Sequence, residues 1–290
     1  MSAKKIAIVT DSNSGIMPNE APKDVFVLPM AFLVNGECYY ENVTIFQKEF
    51  YEQLETATVS TSQPSIGDLT ELWTNVLKEY DEIVYIPMTS GLSQSCAAAQ
   101  NLSKDFDGRV FVVDNHRISA PMRESIDDAL KLVKQGKNGA EIKEILEQMG
   151  LDSSIYIAVS TMKYLKKGGR VTPAAAMIGS ILKINPVLQI QGEKLDKYAL
   201  ARGSAKAKET IKNAIKHDIE VTYAEYVKNG EMALHVAHTA NDEAAAALAK
   251  ELQEMFPHLP FHYCDPLAMC IACHTGPGAL GAAITRYIKE

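Results

Sequence analysis

The densest cluster of reactive side chains in this 290-residue sequence is the run Cys270-Ile271-Ala272-Cys273-His274, followed by Thr275-Gly276-Pro277-Gly278. Its C-x-x-C-H spacing fits covalent haem attachment, a chemistry of exported proteins. With Cys264 the same residues offer four zinc ligands, although structural zinc sites usually draw theirs as two spaced pairs, and a chain of this size has no need of a metal to build its core. The competing reading makes the thiols packing groups and leaves the imidazole to do chemistry. A second candidate is Gly91-Leu92-Ser93-Gln94-Ser95, one glycine short of the G-x-S-x-G nucleophile elbow, with Asp265 and His274 downstream in the order a hydrolase triad uses. Serine replaces the final glycine, which such elbows use to pack closely. Ser93 is therefore read against a helix-capping or ligand-binding hydroxyl.

Four polar loops, 11–15, 61–65, 89–95 and 274–278, are each expected to precede a helix and to offer hydroxyls, free backbone N–H groups or an imidazole. Unpaired N–H groups and the helix dipole both attract an anion. Plain helix capping accounts for any one loop, but the four together point to a carboxylate or phosphate held between domains.

The elements that must position these loops follow from periodicity. Strands are expected at 5–10, 25–30, 82–88 and 109–114, with a further strand or hairpin at 31–40. Helices are expected at 46–54, with Thr44 as a cap, and at 66–80, 96–102, 121–135 and 140–149. Strand, polar loop and helix recurring in this way indicate a doubly wound, mostly parallel sheet whose working edge is the loops at the strand C-termini. A polar break at 151–154 places a domain boundary near residue 153. The domains are then 1–153 and a smaller α/β domain, 154–290, with a mixed sheet. In the second, strands are expected at 155–160, 187–190, 195–200, 232–238 and 261–265. Its helices are expected at 161–167, 173–182, 204–219 and 241–256, with a closing helix at 279–288 that can pack back on the first domain.

Composition narrows the function classes. Apolar residues make up 47% and charged residues 22%, as in ordinary soluble α/β proteins. A net charge of −7, with no basic tail or aromatic-basic run, argues against nucleic acid and allows at most transient contact with a membrane surface. Residues 1–9 do not read as an export signal, and no apolar run approaches the roughly 20 residues of a spanning helix. A cytoplasmic location with unpaired, mostly buried thiols is the expectation.

Six motifs in order, Lys4–Gly15 (KKIAIVTDSNSG), Ser60–Ser65 (STSQPS), Thr89–Ser93 (TSGLS), Leu165–Thr172 (LKKGGRVT), Ile178–Leu188 (IGSILKINPVL) and His274–Gly281 (HTGPGALG), resemble the DegV family, the fatty-acid-binding subunits of bacterial fatty acid kinase. The resemblance spans nearly the whole chain. It implies a two-domain α/β protein without cofactor or catalytic activity, which encloses a long-chain fatty acid and presents its carboxylate to an ATP-dependent kinase subunit. It implies that Thr61, Ser62, Ser93, His274 and Thr275 hold the carboxylate, and that Arg170 and Arg202 engage the kinase. Ala174, Met177, Ile178, Ile181 and Leu182, on one helix, are read as tunnel walls or as plain core. Departures from the family pattern fall at Gln94-Ser95-Cys96 and Asn115-His116-Arg117. The physics is compatible: about 15 methylenes at roughly 0.8 kcal/mol each give on the order of 12 kcal/mol before ordering costs. Two readings stay open beside it, a serine hydrolase using Ser93 and His274, and a small-ketone-binding subunit related to dihydroxyacetone kinases.

Overall fold

The computed structural model of the chain describes residues 4–178 and 184–289. The aliphatic run after Lys5 is buried on both faces, as befits a central parallel strand, and forms β1 (Ile6–Asp11). β2 (Val25–Leu28) follows, then β3 (Ala31–Val34), β4 (Glu37–Tyr40), α1 (Gln47–Leu54), β5 (Val59–Thr61), α2 (Ile66–Val76), β6 (Glu82–Ile86), α3 (Ser95–Leu102) and β7 (Val110–Val112). β2, β1, β6 and β7 pair in that order as an all-parallel sheet. The hairpin β3–β4 and β5 make a separate antiparallel sheet of order β4-β3-β5. α4 (Ala120–Lys134) and α5 (Gly139–Gln148) complete the first half. The Asn115-His116-Arg117 turn has a structural use: the buried Arg117 guanidinium donates to the carbonyls of Met149 (2.7 Å) and Gly150 (3.3 Å), satisfying the C-terminal end of α5.

The remainder runs β8 (Ser153–Ala158), α6 (Lys163–Gly168), α7 (Pro173–Ala176), β9 (Ile184–Ile190), β10 (Asp196–Arg202), α8 (Gly203–His217), α9 (Ala224–Lys228), β11 (Met232–His238), α10 (Asp242–Met255), β12 (Phe261–Pro266), α11 (Met269–Thr275) and β13 (Leu280–Arg286). Its sheet has order β10-β9-β8-β13-β11-β12, antiparallel except for the β11–β12 pair. This mixed sheet has six strands, against four in the parallel one.

The segment expected as a closing helix is β13, at the centre of that sheet between β8 and β11. Alanine content favours a helix, yet Leu280 to Thr285 are all buried, and only a strand between two others can bury six successive residues on both faces. The chain just beyond it does reach the first half: Ile288 N–H donates to Asp128 (2.8 Å) and Lys131 donates to the Ile288 carbonyl (2.6 Å). The helix expected at 173–182 is the four-residue α7, begun by the Thr172 cap. Ile181 and Leu182 lie outside the described residues. Thr44 is not the cap of α1; its hydroxyl receives the Tyr40 N–H instead.

Alternation divides the mixed sheet cleanly. Tyr156, Val187, Leu234, Ala282 and Ile284 point to α8 and α10 and form one core. The alternate residues, Ile155, Ile157, Ile190, Ala283 and His235, face the first half of the chain and line a cavity. α4 is wedged beside it. Met122, Ile126 and Ala129 pack on the parallel sheet. On its other side Arg123 pairs with Asp265 (2.7 Å) and Glu124 accepts from His262 (2.7 Å).

Candidate functional site

The cavity has a volume of about 300 Å³, at the lower end of the range for small-molecule sites. Its lining is largely apolar: Met88, Leu92, Ile118, Leu165, Leu195 and Leu267 close around the sheet residues named above, and Asn13 and Ser119 add polar groups to the wall. One end is polar and gathers Thr61, Ser62, Ser93, Arg170, His274 and Thr275 from four separate segments. Ser62, Gln63 and Gln94 are exposed there, so this end is the mouth.

Each mouth residue is held by local structure. The backbone of residues 59–61 pairs with β3, which brings Thr61 to His274: Thr61 Oγ1 lies 2.9 Å from His274 Nε2. His274 sits in the last turn of α11, and the opposite side of its ring packs on Gly168, where a Cβ would come within 2.1 Å of Nδ1. Gly168 therefore leaves the space that the imidazole occupies. Burial, with a smaller contribution from the charge of Arg170, pushes the His274 imidazole down to about 4, so it is neutral near pH 7.

Ser93 lies in the loop between β6 and α3, where its Oγ accepts from the Ser95 N–H (3.1 Å) and keeps its own proton for a ligand. That loop is pinned to the turn between β9 and β10: Thr89 donates to the Gly192 carbonyl (2.6 Å), and a Cβ on Gly91 would lie 2.5 Å from the same oxygen. Arg170, beyond the left-handed Gly169 that ends α6, donates from Nε to Leu92 O (3.3 Å) and from Nη1 to Gly168 O (2.5 Å). These bonds fix a cation at the mouth. Ser62 donates to Ala31 O (3.4 Å), and Thr275 to Ile271 O (3.3 Å), as helical threonines do.

The sequence expectations divide accordingly. Thr61, Ser62, Ser93, His274 and Thr275 come together, and Arg170, expected on a partner surface, joins them in the cavity wall. Arg202 is exposed at the end of β10. Of the residues expected as tunnel walls, the three that lie among the described residues do not line the cavity. Ala174 is exposed, Met177 is 85% exposed, and Ile178 is buried among Leu92, Leu165 and Leu195 without lining the cavity. Of the four loops, only 61–65 and 89–95 precede α-helices. The loop at 11–15 forms a 3-10 turn, and 274–278 comprises the end of α11 and the turn into β13.

No hydrolase triad forms, since His274 is engaged by Thr61 and Asp265 by Arg123. Cys270 and Cys273 are buried on α11 while Cys264 is exposed on β12, and among the described residues no group of His, Cys, Asp and Glu converges to hold a metal ion. No helix among the described residues is long and apolar enough to cross a membrane.

Sequence reasoning missed two groups. Glu41, fully buried, accepts the Met269 N–H (2.6 Å) and the Ser12 hydroxyl (3.0 Å), anchoring the N-terminus of α11 to the tip of β1. Burial pushes its carboxyl up to about 7. His235 lies inside the cavity on β11, at a position where strand alternation leads one to expect an aliphatic side chain.

Comparisons with known proteins agree with this architecture. A family model described as "Uncharacterised protein, DegV family" matches residues 5–286. Protein DegV of Bacillus subtilis is 32% identical over 285 residues, covering 95% of this chain and 97% of the relative. A DegV domain-containing protein of Deinococcus radiodurans is 28% identical over 96% of this chain and 98% of its own. Among solved structures, the fold is similar to a fatty-acid-binding DegV family protein from Thermus thermophilus, with a TM-score of 0.84 and 28% identity over 97% of this chain and 99% of that one. It is also similar to DegV of B. subtilis, described as a fatty acid binding protein, with a TM-score of 0.81 and 28% identity over 98% and 99% of the two chains.

Proposed function

The chain belongs to the DegV family, and we propose from that premise that it holds one long-chain fatty acid in the cavity between two α/β domains, residues 1–153 and 154–290. The observation that carries the reading is the division of a single cavity into a largely apolar interior and a polar mouth at Thr61, Ser93, Arg170 and His274. The fatty acid binding of the solved relatives supports it. An acyl chain suits the interior, whereas a small polar ketone would leave that surface unmatched. A buried carboxylate costs several kcal/mol unless it is paired. Here the hydroxyls of Thr61 and Ser93 can donate to it, with the neutral His274 donating from Nε2 to Thr61 Oγ1 so that the threonine proton is free for the carboxylate, and Arg170 supplies the opposite charge.

In this reading the protein catalyses nothing itself. It acts in the cytoplasm and presents the carboxylate to a separate ATP-dependent kinase subunit, which forms the acyl phosphate. Arg202, exposed and away from the cavity lining, is the residue we assign to that contact, and Arg170 is assigned to the carboxylate. Arg202→Ala is expected to keep the lipid and lower the acyl-phosphate yield with the kinase subunit; loss of lipid would make Arg202 structural. Native mass spectrometry of protein purified from bacteria tests the binding itself. A bound mass near that of a long-chain fatty acid is expected, and a protein that is empty and takes up neither palmitate nor oleate refutes the proposal.

A further inference from the structure

One row across the mixed sheet places Ile190, Ile155, Ala283 and His235 side by side on the cavity face. Three of the four are the apolar groups an acyl chain requires. The fourth is an imidazole, 0% exposed, with neither ring nitrogen hydrogen-bonded among the described residues. A buried polar group left without a partner is costly, and a neutral imidazole carries one donor and one acceptor that both go unused here.

The side chains around His235 do not supply the missing bonds. Glu124 Oε2 stands 3.8 Å from Nε2, beyond hydrogen-bond reach, and is already committed to His262 Nδ1 at 2.7 Å. Tyr263 stacks on the imidazole with ring centroids 5.7 Å apart, and its hydroxyl donates to Asp127. These neighbours come from α4 and β12, whereas His274 at the mouth meets Thr61, Gly168 and Arg170. The cavity thus has a further polar point set in its largely apolar lining.

Resting on the fatty-acid reading, we propose that the cavity prefers acyl chains bearing a hydroxyl group, which His235 recognises. A hydroxyl can either accept from or donate to the ring nitrogen that it meets, so it pairs with the neutral imidazole in either tautomer. The small side chain of Ala283 beside it leaves room for an oxygen on the chain. A second carboxylate is disfavoured at the same place, because the Glu124 carboxylate lies close by in a dry site.

Competition binding on the intact protein tests this with stearate, a series of hydroxystearates differing in hydroxyl position, 16-hydroxypalmitate against palmitate, and hexadecanedioate. At least one hydroxylated acid is expected to bind about tenfold more tightly than its parent, the effect of one additional buried hydrogen bond. Hexadecanedioate is expected to bind more weakly than palmitate. His235→Leu and His235→Phe should erase the hydroxyl preference and favour the plain chains. Hydroxylated acids that never exceed their parents, as when a water molecule alone serves His235, overturn the inference, as does a preference that survives both substitutions. The wild-type series decides even if neither variant folds. If plain acids bind and no hydroxylated acid binds better, only this inference falls; if no acid binds at all, the fatty-acid reading falls with it.

Discussion

His274 and His235 line one cavity from different parts of the chain and solve the same electrostatic problem differently. Both are buried enough to be neutral, His274 pushed down to about 4 and His235 to about 3. His274 is seated by Thr61 on one side and by the space above Gly168 on the other, beside a cation and an opening to solvent. His235 has stacking and edge contacts with Tyr263 and His262 but no hydrogen bond. A histidine with a fixed partner orients something that arrives from outside; a histidine without one is completed by what arrives. On the fatty-acid reading, the difference separates a headgroup site from a chain-recognition point within one pocket.

The strongest way to break this contrast is to unseat His274 alone. In Gly168→Ala the new methyl would lie 2.1 Å from Nδ1, so the ring must move away from Thr61. We expect fatty-acid affinity measured by calorimetry to fall by about one to two orders of magnitude, the cost of a lost hydrogen bond to a charged group. The fold should survive, since the clash is with one side chain at the mouth. Unchanged affinity would mean that His274 is a packing group.

Acid stability sharpens the contrast from the other side. Unfolded histidine titrates near 6.5, above both folded values, so the unfolded chain binds more protons below that pH. Each imidazole therefore contributes stability above pH 6.5 that is lost as the pH falls toward 4 for His274 and 3 for His235. The slope is about 1.4 kcal/mol per unit for each. Glu41 and Asp128, both pushed up to about 7 mainly by burial, act in the opposite sense, favouring the folded chain in acid and losing that contribution as pH rises to 7. In denaturant titrations at pH 6 and 4.5, His235→Leu is expected to lose about 2 kcal/mol less than wild type across the interval. An unchanged slope would mean that His235 is protonated or solvated in the folded chain.

Much of the architecture was legible because periodicity reports burial. The strand runs at 6–11, 82–86 and 232–238 and the helix at 242–255 follow from apolar spacing alone. The mouth was legible through loop motifs, since hydroxyls beside Gly91 and His274 stand out in sequence. β13 was not, because Gly281-Ala282-Ala283 carries too little side chain to show whether its period is two or 3.6. The cavity wall was missed for a related reason. Its residues alternate along strands whose two faces are both apolar, and sequence cannot say which face looks onto a cavity and which onto α8. Glu41 is one acidic residue among 36, and only the fold brings it to the N-terminus of α11, 228 positions away.

On the fatty-acid reading, the carboxylate sits at Thr61 beside His274. Palmitate labelled with carbon-13 at the carboxyl tests it most directly, by NMR of the complex over a pH titration. One bound resonance is expected, distinct from free acid, that stays in its ionised position below the free acid's titration range and shifts in Thr61→Val. A bound carboxyl that titrates as in water and ignores Thr61→Val would contradict it.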